Sequence, residues 1–398
     1  MGEPVIVEAV RTAIGKRGGG FRETRPETLL AAVLREVVAR PGLAPHHVDD
    51  VIVGCVTQAG EQGANVGRIG VLVAGYPPQV PATSINRMCG SSQQAIHFAA
   101  QAVAAGDASW VVAAGVEHMT RVPMFSDIAD PQASAGGTAV DVFDRLSPAL
   151  RERYEILHQG ESAERIAERY GLTRRELDTF SFESHRRAGR AIREGRFDRQ
   201  IVPVQGVDAD GRPLTIRQDE GVRLEPDLEK MAQLKPAFRP PDRGVITAAN
   251  SSQISDGAAA VLIADRDAAR SMGLRPRARF RARVAVGDDP TLQLLGVIPA
   301  TRRALERAGV RLKDLDVIEI NEAFASVVLA WGREFEPDWE RVNPNGGAIA
   351  HGHPLGATGA VLMTKLLDEL ERRDGTLGLQ VMCIGHGMAT ATVVERLA

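Results

Sequence analysis

The sequence predicts an α/β protein made of two similar halves, with a segment inserted into the first half. Three observations support this prediction. Helical patterns alternate with short apolar strands such as VDDVIVG and DVIEIN. Residues 34–54 resemble residues 301–321, which suggests an internal repeat. The middle of the chain, about 119–246, has a different character, with charged helical patterns and irregular stretches.

The repeat has one register along much of its length. Aligning Gly42 with Gly309 matches apolar positions in both segments and sets Cys89 opposite Gly356. With a shift of one or two residues, the strand SWVVAAGVEH also matches LGLQVMCIGH. Chance similarity between alanine-rich segments is the alternative explanation.

The elements follow in order. Residues 91–105 carry apolar side chains at helical spacing, which predicts a helix that ends at Gly106. WVVAAGV, which follows, is predicted to be a strand. Residues 122–150 read as a loop, residues 161–199 as two charged amphipathic helices, and GVDADGRPLTI as a hairpin. The predicted domains are a first half (1–118 with 247–270), an inserted loop domain (119–246) and a second half (271–398).

Composition restricts the function. The formal net charge is −3 over 398 residues, which does not indicate a partner such as nucleic acid or an acidic membrane surface. No apolar run is long enough to span a membrane, and the N-terminus lacks the pattern of a secretory signal. Three widely spaced cysteines argue against a disulfide framework, so we expect a cytoplasmic protein.

Cys89 lies where a loop turns into a helix, in NRMCGSSQQAIHF. A thiol attacks as a thiolate, and a helix N-terminus can lower the thiol pKa below its free value of about 8.5. Gly90 and the serines after it would offer backbone N–H groups to an oxyanion. We interpret Cys89 as a nucleophile; a buried structural cysteine is the alternative.

His353 lies in the glycine-rich turn HGHPLGATGA, before a proline that disfavours helical backbone at the histidine. A neutral imidazole in this turn would take the proton of a cysteine. One alternative is a loop histidine that satisfies turn backbone groups. Another is a zinc site with His351, Cys383 and His386, although structural zinc ligands usually have tighter paired spacing. We therefore expect no metal.

Two further polar residues end apolar strands in the second half. Asn321 follows DVIEI and would donate to a water or an oxyanion, but a helix N-cap for FASVVLAWG is the simpler explanation of this residue alone. Cys383 ends LQVMC, before the glycines of IGHG, where the N–H of Gly385 would face a substrate carbonyl. We interpret Cys383 as an acid or base acting on carbon, with a buried core cysteine as the alternative.

Together, four motifs resemble the thiolase family, which comprises acetyl-CoA C-acetyltransferases and 3-oxoacyl-CoA thiolases. The motifs are CGSS after Asn86, NEAFA, GHPLGATG and CIGHG, in this order. The resemblance extends over the whole chain, including PVIVEAVRTAIGK near the start and VITAANSSQISDGAAAVL before the second half.

The resemblance implies a thiolase fold, with duplicated βαβαβαββ halves in a five-layer αβαβα core and an inserted loop domain. It implies an acyltransferase that cleaves 3-oxoacyl-CoA to acetyl-CoA and a shortened acyl-CoA, or runs the reverse Claisen condensation. The acyl group would be carried on Cys89 in a ping-pong mechanism. Coenzyme A and acyl-CoA are the expected partners as substrates, with no permanently bound cofactor.

The resemblance also implies a role for each site residue. His353 and a water held by Asn321 would stabilise an enolate, the N–H groups of Cys89 and Gly385 an alkoxide, and Cys383 would move the proton on carbon. Five positions match those that line the pantetheine channel: His158, Gln159, Phe238, Ser252 and Phe324. Arginines within 165–199 would meet the CoA phosphates or form a solvated helix face.

Some positions depart from the family pattern. His386 stands where glycine is usual and Thr358 where serine is usual, and Gln293-Leu294 replaces a Met-Gly pair of short-chain biosynthetic thiolases. The last difference argues against acetoacetyl-CoA specificity. The loop 119–150 lacks a recognisable basic tetramerisation loop, so we expect a homodimer before a tetramer. The alternatives are a decarboxylating ketoacyl synthase, which typically carries His at the position of Cys383, and a non-catalytic acyl-CoA or lipid-binding protein.

Overall fold

The computed structural model describes residues 2–128 and 145–397. In the first half, strands and helices alternate as predicted, and the helix over 91–105 is observed at those residues. The elements of this half before the insertion are β1 (Pro4–Thr12), β2 (Gly15–Lys16), α1 (Pro26–Ala39), β3 (Asp50–Gly54), α2 (Val66–Val73), β4 (Ala82–Ile85), α3 (Ser91–Ala105) and β5 (Trp110–His118).

The inserted segment contains the two predicted charged helices and the predicted hairpin. Its described elements are α4 (Pro148–Arg153), α5 (Gln159–Arg169), α6 (Arg174–Arg193), β6 (Ile201–Val202), the hairpin β7 (Val204–Val207) and β8 (Pro213–Ile216), and α7 (Leu228–Ala232). The chain then returns through β9 (Ser255–Asp265) and α8 (Arg266–Ser271). Much of the predicted loop 122–150 lies outside the described residues.

The second half repeats the alternation. Its elements are β10 (Ala278–Gly287), α9 (Val297–Ala308), β11 (Val317–Ile320), α10 (Ala325–Phe335), α11 (Ala348–His351), α12 (Thr358–Arg372), β12 (Leu377–Ile384) and β13 (Met388–Arg396).

Strand pairing is equivalent in the two halves. In the first half β4, β3 and β5 run parallel, and β9 and β1 continue the sheet antiparallel to their neighbours. In the second half β11 and β12 are parallel, and β13 and β10 follow antiparallel. A parallel bridge between Ile318 and Val342 stands where the first half has β4. The two sets of strands meet at two residue pairs between β1 and β10.

Three buried clusters produce five layers. Helices α1 and α2 cover the outer face of the first set of strands, and α9 and α10 cover that of the second set. The helices α3 and α12 lie between the sets, where Ile96 and Leu366 share a cluster with residues of β5, β9 and β13. Because α3 is enclosed on two sides, its small alanine side chains allow close packing against both sets of strands. The αβαβα arrangement confirms the predicted fold class.

The predicted repeat is present in three dimensions. Helices α3 and α12 each have 15 residues and begin at the same register, so that Cys89 and Gly356 each lie two residues before a central helix. The halves differ between the last two strands. In the second half β12 turns directly into β13 through residues 385–387, whereas the first half carries the insertion between β5 and β9.

The insertion contacts both halves. Ile166 of α5 belongs to the core cluster of the second half, and α6 also packs against α10 and α11. The short strand β6 pairs with β1 of the first half at Arg11 and Thr12. The domain boundaries given above remain predictions. Among the helices that the structure describes, no segment has the length and apolar character needed to cross a membrane.

Candidate active site

The four predicted catalytic side chains lie at the ends of core elements and are almost fully buried. Cys89 precedes α3, Asn321 follows β11, His353 precedes α12, and Cys383 lies near the end of β12. Cys89 is 4% exposed, His353 3%, and Asn321 and Cys383 0%. Because central helices begin and parallel strands end at this level, residues far apart in the chain meet there.

The protonation state of His353 follows from its partners. Thr358 Oγ1 donates to the carbonyl oxygen of Pro354 (3.0 Å), so it accepts a hydrogen bond from His353 Nδ1 (2.7 Å). Nδ1 therefore carries the proton, and the basic lone pair is on Nε2. Burial lowers the pKa of His353 to about 4, which keeps the imidazole neutral near pH 7. The ring is prepared to accept a proton at Nε2.

Asn321 lies between the histidine and the second cysteine. Its Nδ2 is 3.5 Å from His353 Nε2 and 3.5 Å from Cys383 Sγ. Its buried Oδ1 has no hydrogen-bond partner among the described residues. The N-cap explanation of Asn321 is wrong: α10 begins at Ala325, its N-cap is Phe324, and no side chain caps it. Asn321 faces the site instead.

Cys89 differs from the prediction in its acidity. Burial, followed by the proximity of Cys383, raises its pKa to about 12, so the expected lowering by the helix N-terminus is not observed. The backbone N–H groups of Cys89 and Gly385 act in the opposite direction and lower this pKa. Cys89 is therefore a thiol at rest.

Two of the backbone donors expected after Cys89 are occupied. The N–H of Gly90 donates to the carbonyl of Arg87, and the N–H of Ser91 donates to that of Met88, both at 3.0 Å. These bonds close the tight turn before α3. The N–H groups of Gly90 and Ser91 are therefore not available to an oxyanion at Cys89.

Cys383 is also a thiol at rest. Burial raises its pKa to about 11, while the Asn321 side chain and the backbone N–H of Ala323 lower that pKa. The same donors that face its sulfur would stabilise a thiolate there. Cys383 therefore has both a proton to give and a site that accepts the resulting charge.

Glu117 supports this site and was missed in the sequence. Its buried carboxylate accepts hydrogen bonds from the N–H groups of Val56 (2.9 Å), Thr57 (3.1 Å) and Gly356 (2.9 Å) and from Gln62 Nε2 (3.0 Å). A Cβ at Gly356 would come within 2.8 Å of Glu117 Oε2 and 2.7 Å of a backbone atom of Cys55, so only glycine fits. The sequence signal that could have identified Glu117 is its charge near the end of the largely apolar strand SWVVAAGVEH.

The five residues predicted to line the pantetheine channel form a continuous group. The rings of His158 and Phe238 are 5.2 Å apart, and those of Phe238 and Phe324 are 6.1 Å apart. The N–H of Ser252 donates to the carbonyl of Ala323, the neighbour of Phe324 (2.9 Å). Gln159 Nε2 lies 2.7 Å from the position of a Cβ on Gly385. The group thus runs from the surface towards the buried cysteines.

A cavity of about 760 Å³ lies at Ser252. Apolar side chains of Met231, Leu234 and Ile254 line it. Its charged lining consists of four cationic side chains, Lys16, Arg17, Arg223 and Lys230, and two carboxylates, Glu225 and Asp227. Most arginines of the 165–199 helices are instead engaged with carboxylates; Arg165, for example, pairs with Glu155 and Glu161. The cationic groups of the cavity therefore come from outside the segment considered in the sequence.

His351, one of the residues of the alternative zinc site, has other contacts on both ring nitrogens. His351 Nδ1 lies 2.7 Å from Asp219 Oδ2, and His351 Nε2 lies 2.9 Å from the carbonyl of Asn345. Within residues 2–128 and 145–397, no group of three or more His, Cys, Asp or Glu side chains is arranged to hold a metal ion.

A cysteine-dependent acyltransferase needs a thiol and a neutral imidazole close together, and this duplicated five-layer fold buries two thiols beside such an imidazole. Known proteins narrow this class. Residues 4–267 match the family description "Thiolase, N-terminal domain" and residues 274–396 match "Thiolase, C-terminal domain". The chain belongs to the thiolase family.

Individual relatives are similar to this protein over the full length of the chain. The chain is 47% identical to the steroid 3-ketoacyl-CoA thiolase FadA6 of Mycobacterium tuberculosis, covering 100% of this chain and 95% of the relative. It is 43% identical to a 3-ketoacyl-CoA thiolase of Cronobacter sakazakii, with 100% of both chains covered. The crystal structure of the Bacillus anthracis acetyl-CoA acetyltransferase matches with a TM-score of 0.90, 38% identity and coverage of 100% of this chain and 99% of that chain.

Proposed function

We propose that the protein cleaves 3-oxoacyl-CoA substrates by thiolysis, with Cys89 carrying the acyl group. The observation that supports this proposal best is the arrangement around Asn321, whose amide lies 3.5 Å from both His353 Nε2 and Cys383 Sγ. Asn321 thus lies next to both the proposed base for the nucleophile, His353, and the proposed acid for the carbanion, Cys383. This is the set of groups that carbon–carbon cleavage next to a thioester requires.

In the first half-reaction, Cys89 Sγ attacks the 3-oxo carbon while His353 Nε2 takes the thiol proton. The N–H groups of Cys89 and Gly385 receive the alkoxide that forms. Its collapse breaks the bond between the α and β carbons, and the electron pair passes to the enolate of acetyl-CoA. Cys383 gives its proton to the α carbon, so acetyl-CoA leaves and the acyl group remains on Cys89.

In the second half-reaction, the Cys383 thiolate takes the proton of the incoming CoA thiol. The CoA sulfur attacks the acyl-Cys89 thioester, and the same two N–H groups receive the oxyanion. The shortened acyl-CoA leaves, and the proton on His353 returns to Cys89. Every proton is restored, and both thiols are neutral at the end of the cycle.

The enolate oxygen needs donors of its own. After it has taken the Cys89 proton, His353 Nε2–H is a donor. The unpartnered, buried Oδ1 of Asn321 supports a water at this position, because a water that donates to Oδ1 has a second hydrogen for the enolate. Removing one oxyanion donor typically costs about 10²–10³ in rate.

The coenzyme would occupy the channel of His158, Gln159, Phe238, Ser252 and Phe324. The cavity at Ser252 supports this placement, since its apolar wall suits pantetheine and its cations suit phosphates. Arg17 and Arg223 contribute guanidinium groups to this cavity, and Lys230 contacts Asp227 at 3.3 Å. We propose Arg17 and Arg223 as the phosphate-binding residues, in place of the 165–199 arginines.

The acyl side of Cys89 is lined by soft apolar side chains. Cys89 shares a cluster with Met119, Leu355 and Ile384, and the half-buried Met88 and Met388 pack against it. Methionine adapts its shape to irregular partners, which suits acyl groups larger than acetyl. Relatives named for steroid 3-ketoacyl-CoA and 3-ketoacyl-CoA thiolysis support the same degradative assignment.

We also propose that the protein is a cytoplasmic homodimer. The three cysteines are free and buried, as expected in a reducing compartment. Strand β4 is an edge strand of the sheet, and an unpaired strand edge is a common site for association with a second copy. Exposed apolar side chains, Leu72, Val73 and Phe98, occur on the helices before and after β4.

The test is thiolysis of a panel of straight-chain, branched and polycyclic 3-oxoacyl-CoAs. We expect cleavage of at least one class, an acyl adduct on Cys89 by intact-mass analysis, and loss of about 10⁴ or more in rate for Cys89→Ala. Cys55→Ala, which removes the one buried cysteine that has no role in the proposed mechanism, is the matched control and retains the adduct. Full activity of Cys89→Ala would contradict the proposal.

A second measurement separates thiolysis from decarboxylating condensation. Wild-type enzyme is expected to exchange the α protons of acetyl-CoA with deuterium from solvent, because Cys383 removes and returns them. Cys383→Ser should lose this exchange, since a buried hydroxyl is a far weaker acid than a thiol. Condensation that depends on malonyl-CoA without exchange in the wild type would favour a ketoacyl synthase.

A further inference from the structure

Two polar side chains interrupt the apolar wall beside Cys89. The wall consists mainly of methionine, leucine and isoleucine side chains, including Met88 and Met388. Gln159 and Met88, the neighbour of Cys89, both lie at the position of a Cβ on Gly385, and His386 follows Gly385 in the chain. Neither the Gln159 amide nor the His386 ring is needed for the proton transfers described above.

Gln159 is the first residue of α5 and is half-buried. Its Nε2 lies 2.7 Å from where a Cβ of Gly385 would stand, and Met88 Sδ lies 3.1 Å from the same point. No described residue hydrogen-bonds its side chain, although an amide has two donor hydrogens and an acceptor oxygen. Gln159 therefore stands at the inner end of the proposed pantetheine channel, next to Gly385, and its amide is free to meet a bound acyl group there.

His386 shows two signs of a functional position. Its backbone has φ of +59°, a left-handed conformation that costs free energy in a residue other than glycine. Its Nδ1 is buried and has no partner in the part of the chain that the structure describes. Glycine would avoid both costs. A strained residue with an unpaired buried nitrogen is expected where a ligand completes the site.

Gln293 fixes these two residues relative to each other. Its Oε1 accepts from the N–H of His386 (3.0 Å), and its Nε2 donates to the carbonyl of Leu157 (2.8 Å) and to Ser162 Oγ (3.1 Å). Gln293 is 2% exposed and itself has φ of +44°. It thus ties the start of α5 to the 385–387 turn and sets the distance between Gln159 and the N–H of Gly385.

We propose that Gln159 and His386 form a polar recognition site for the acyl group, and that the preferred acyl group carries a further uncharged oxygen, as a hydroxyl or keto group. This inference rests on the proposed thiolysis at Cys89. An amide and an imidazole both hydrogen-bond such an oxygen, and the surrounding methionines contact the carbon skeleton. Burial lowers the pKa of His386, which supports a neutral ring and an uncharged ligand group. Gln293 acts as a positioning residue.

The experiment compares two 3-oxoacyl-CoAs with the same carbon skeleton, one of which carries an additional hydroxyl or keto group on the acyl chain. The ratio of their kcat/KM values is measured for wild type, Gln159→Met and His386→Gly. We expect wild type to prefer the oxygenated substrate by about tenfold, the effect of one hydrogen bond to a buried partner. Each variant should bring the ratio close to one.

Two further measurements complete the test. Gln101→Met, on the exposed face of α3, is the matched control and keeps the wild-type ratio. The melting temperature of His386→Gly should equal or exceed that of wild type, because glycine relieves the positive φ and removes the unpaired nitrogen. A lower melting temperature with an unchanged ratio would show that His386 serves stability and overturn its role in recognition.

The outcomes separate this inference from the proposed function. Equal kcat/KM for the two substrates in wild type, with both cleaved, overturns the recognition site and leaves thiolysis in place. A preference that survives in both variants also overturns it. Failure to cleave either substrate overturns both proposals.

Discussion

At the residue scale, burial keeps Cys89 and His353 neutral in the resting protein. Burial raises the pKa of Cys89 to about 12 and lowers that of His353 to about 4. In the proposed mechanism the Cys89 thiolate therefore forms only during the attack, as the proton moves to His353 Nε2. Thr358 makes this possible, because it fixes the proton of His353 on Nδ1.

These pKa shifts predict the pH dependence of thiolysis. The folded pKa of His353 lies below its usual value of 6.5, so the ring stays a neutral base to lower pH than a free imidazole. We expect kcat/KM to stay level through pH 6 and to fall only as the pH approaches about 4, where His353 becomes protonated. The measurement is kcat/KM against pH, with folding monitored by circular dichroism. A loss of half the activity near pH 6.5 would contradict it.

At the scale of elements, the site depends on turns that leave strands and enter helices. Cys89 and His353 precede the two central helices, and Asn321 and Cys383 belong to the ends of neighbouring parallel strands. Glu117, near the end of β5, joins the loop after β3 to the Gly356 turn through four hydrogen bonds. One buried carboxylate therefore holds the loop after β3 and the Gly356 turn in position relative to each other.

Glu117→Gln tests this arrangement. The new amide nitrogen would face N–H donors, so at least one buried hydrogen bond is lost, and we expect a loss of about 1–3 kcal/mol in the free energy of unfolding. We also expect lower kcat, because the Gly356 turn leads into the residues that hold His353. Urea unfolding and steady-state thiolysis measure the two effects. Glu152→Gln, at an exposed position of α4, is the control. Wild-type stability and kcat in Glu117→Gln would show that the carboxylate has no positioning role.

At the scale of the whole molecule, the duplicated halves and the inserted segment contribute different parts of the site. The two halves supply equivalent helices and strands, yet the site is asymmetric, with a cysteine before α3 and a glycine at the equivalent position before α12. The insertion enters the first half where the second half has the turn containing Gly385. Its helix α5 then packs on the second half and brings Gln159 to that turn.

The edge of the molecule gives a prediction about assembly. The free side of β4 and the exposed Leu72, Val73 and Phe98 suit association of two copies. We expect light scattering after size exclusion to give twice the chain mass of 42.7 kDa. A mass equal to one chain at micromolar concentration would rule the dimer out, and a mass of four chains would indicate the tetramer.

The sequence by itself determined the alternation of elements, the repeat and the four motifs, because periodicity and glycine-rich turns are local features of the chain. The register that pairs Gly42 with Gly309 also brought α3 onto α12. What only the tertiary structure decided depends on contacts between distant segments. From the sequence, Asn321 was expected to cap a helix, and the helix start at Cys89 was expected to lower the pKa of its thiol. In the folded chain, Asn321 faces the site, and burial raises the pKa of Cys89 instead. Burial and long-range hydrogen bonds, such as those of Glu117 and Gln293, leave little trace in local sequence, which is why the structure was needed to find them.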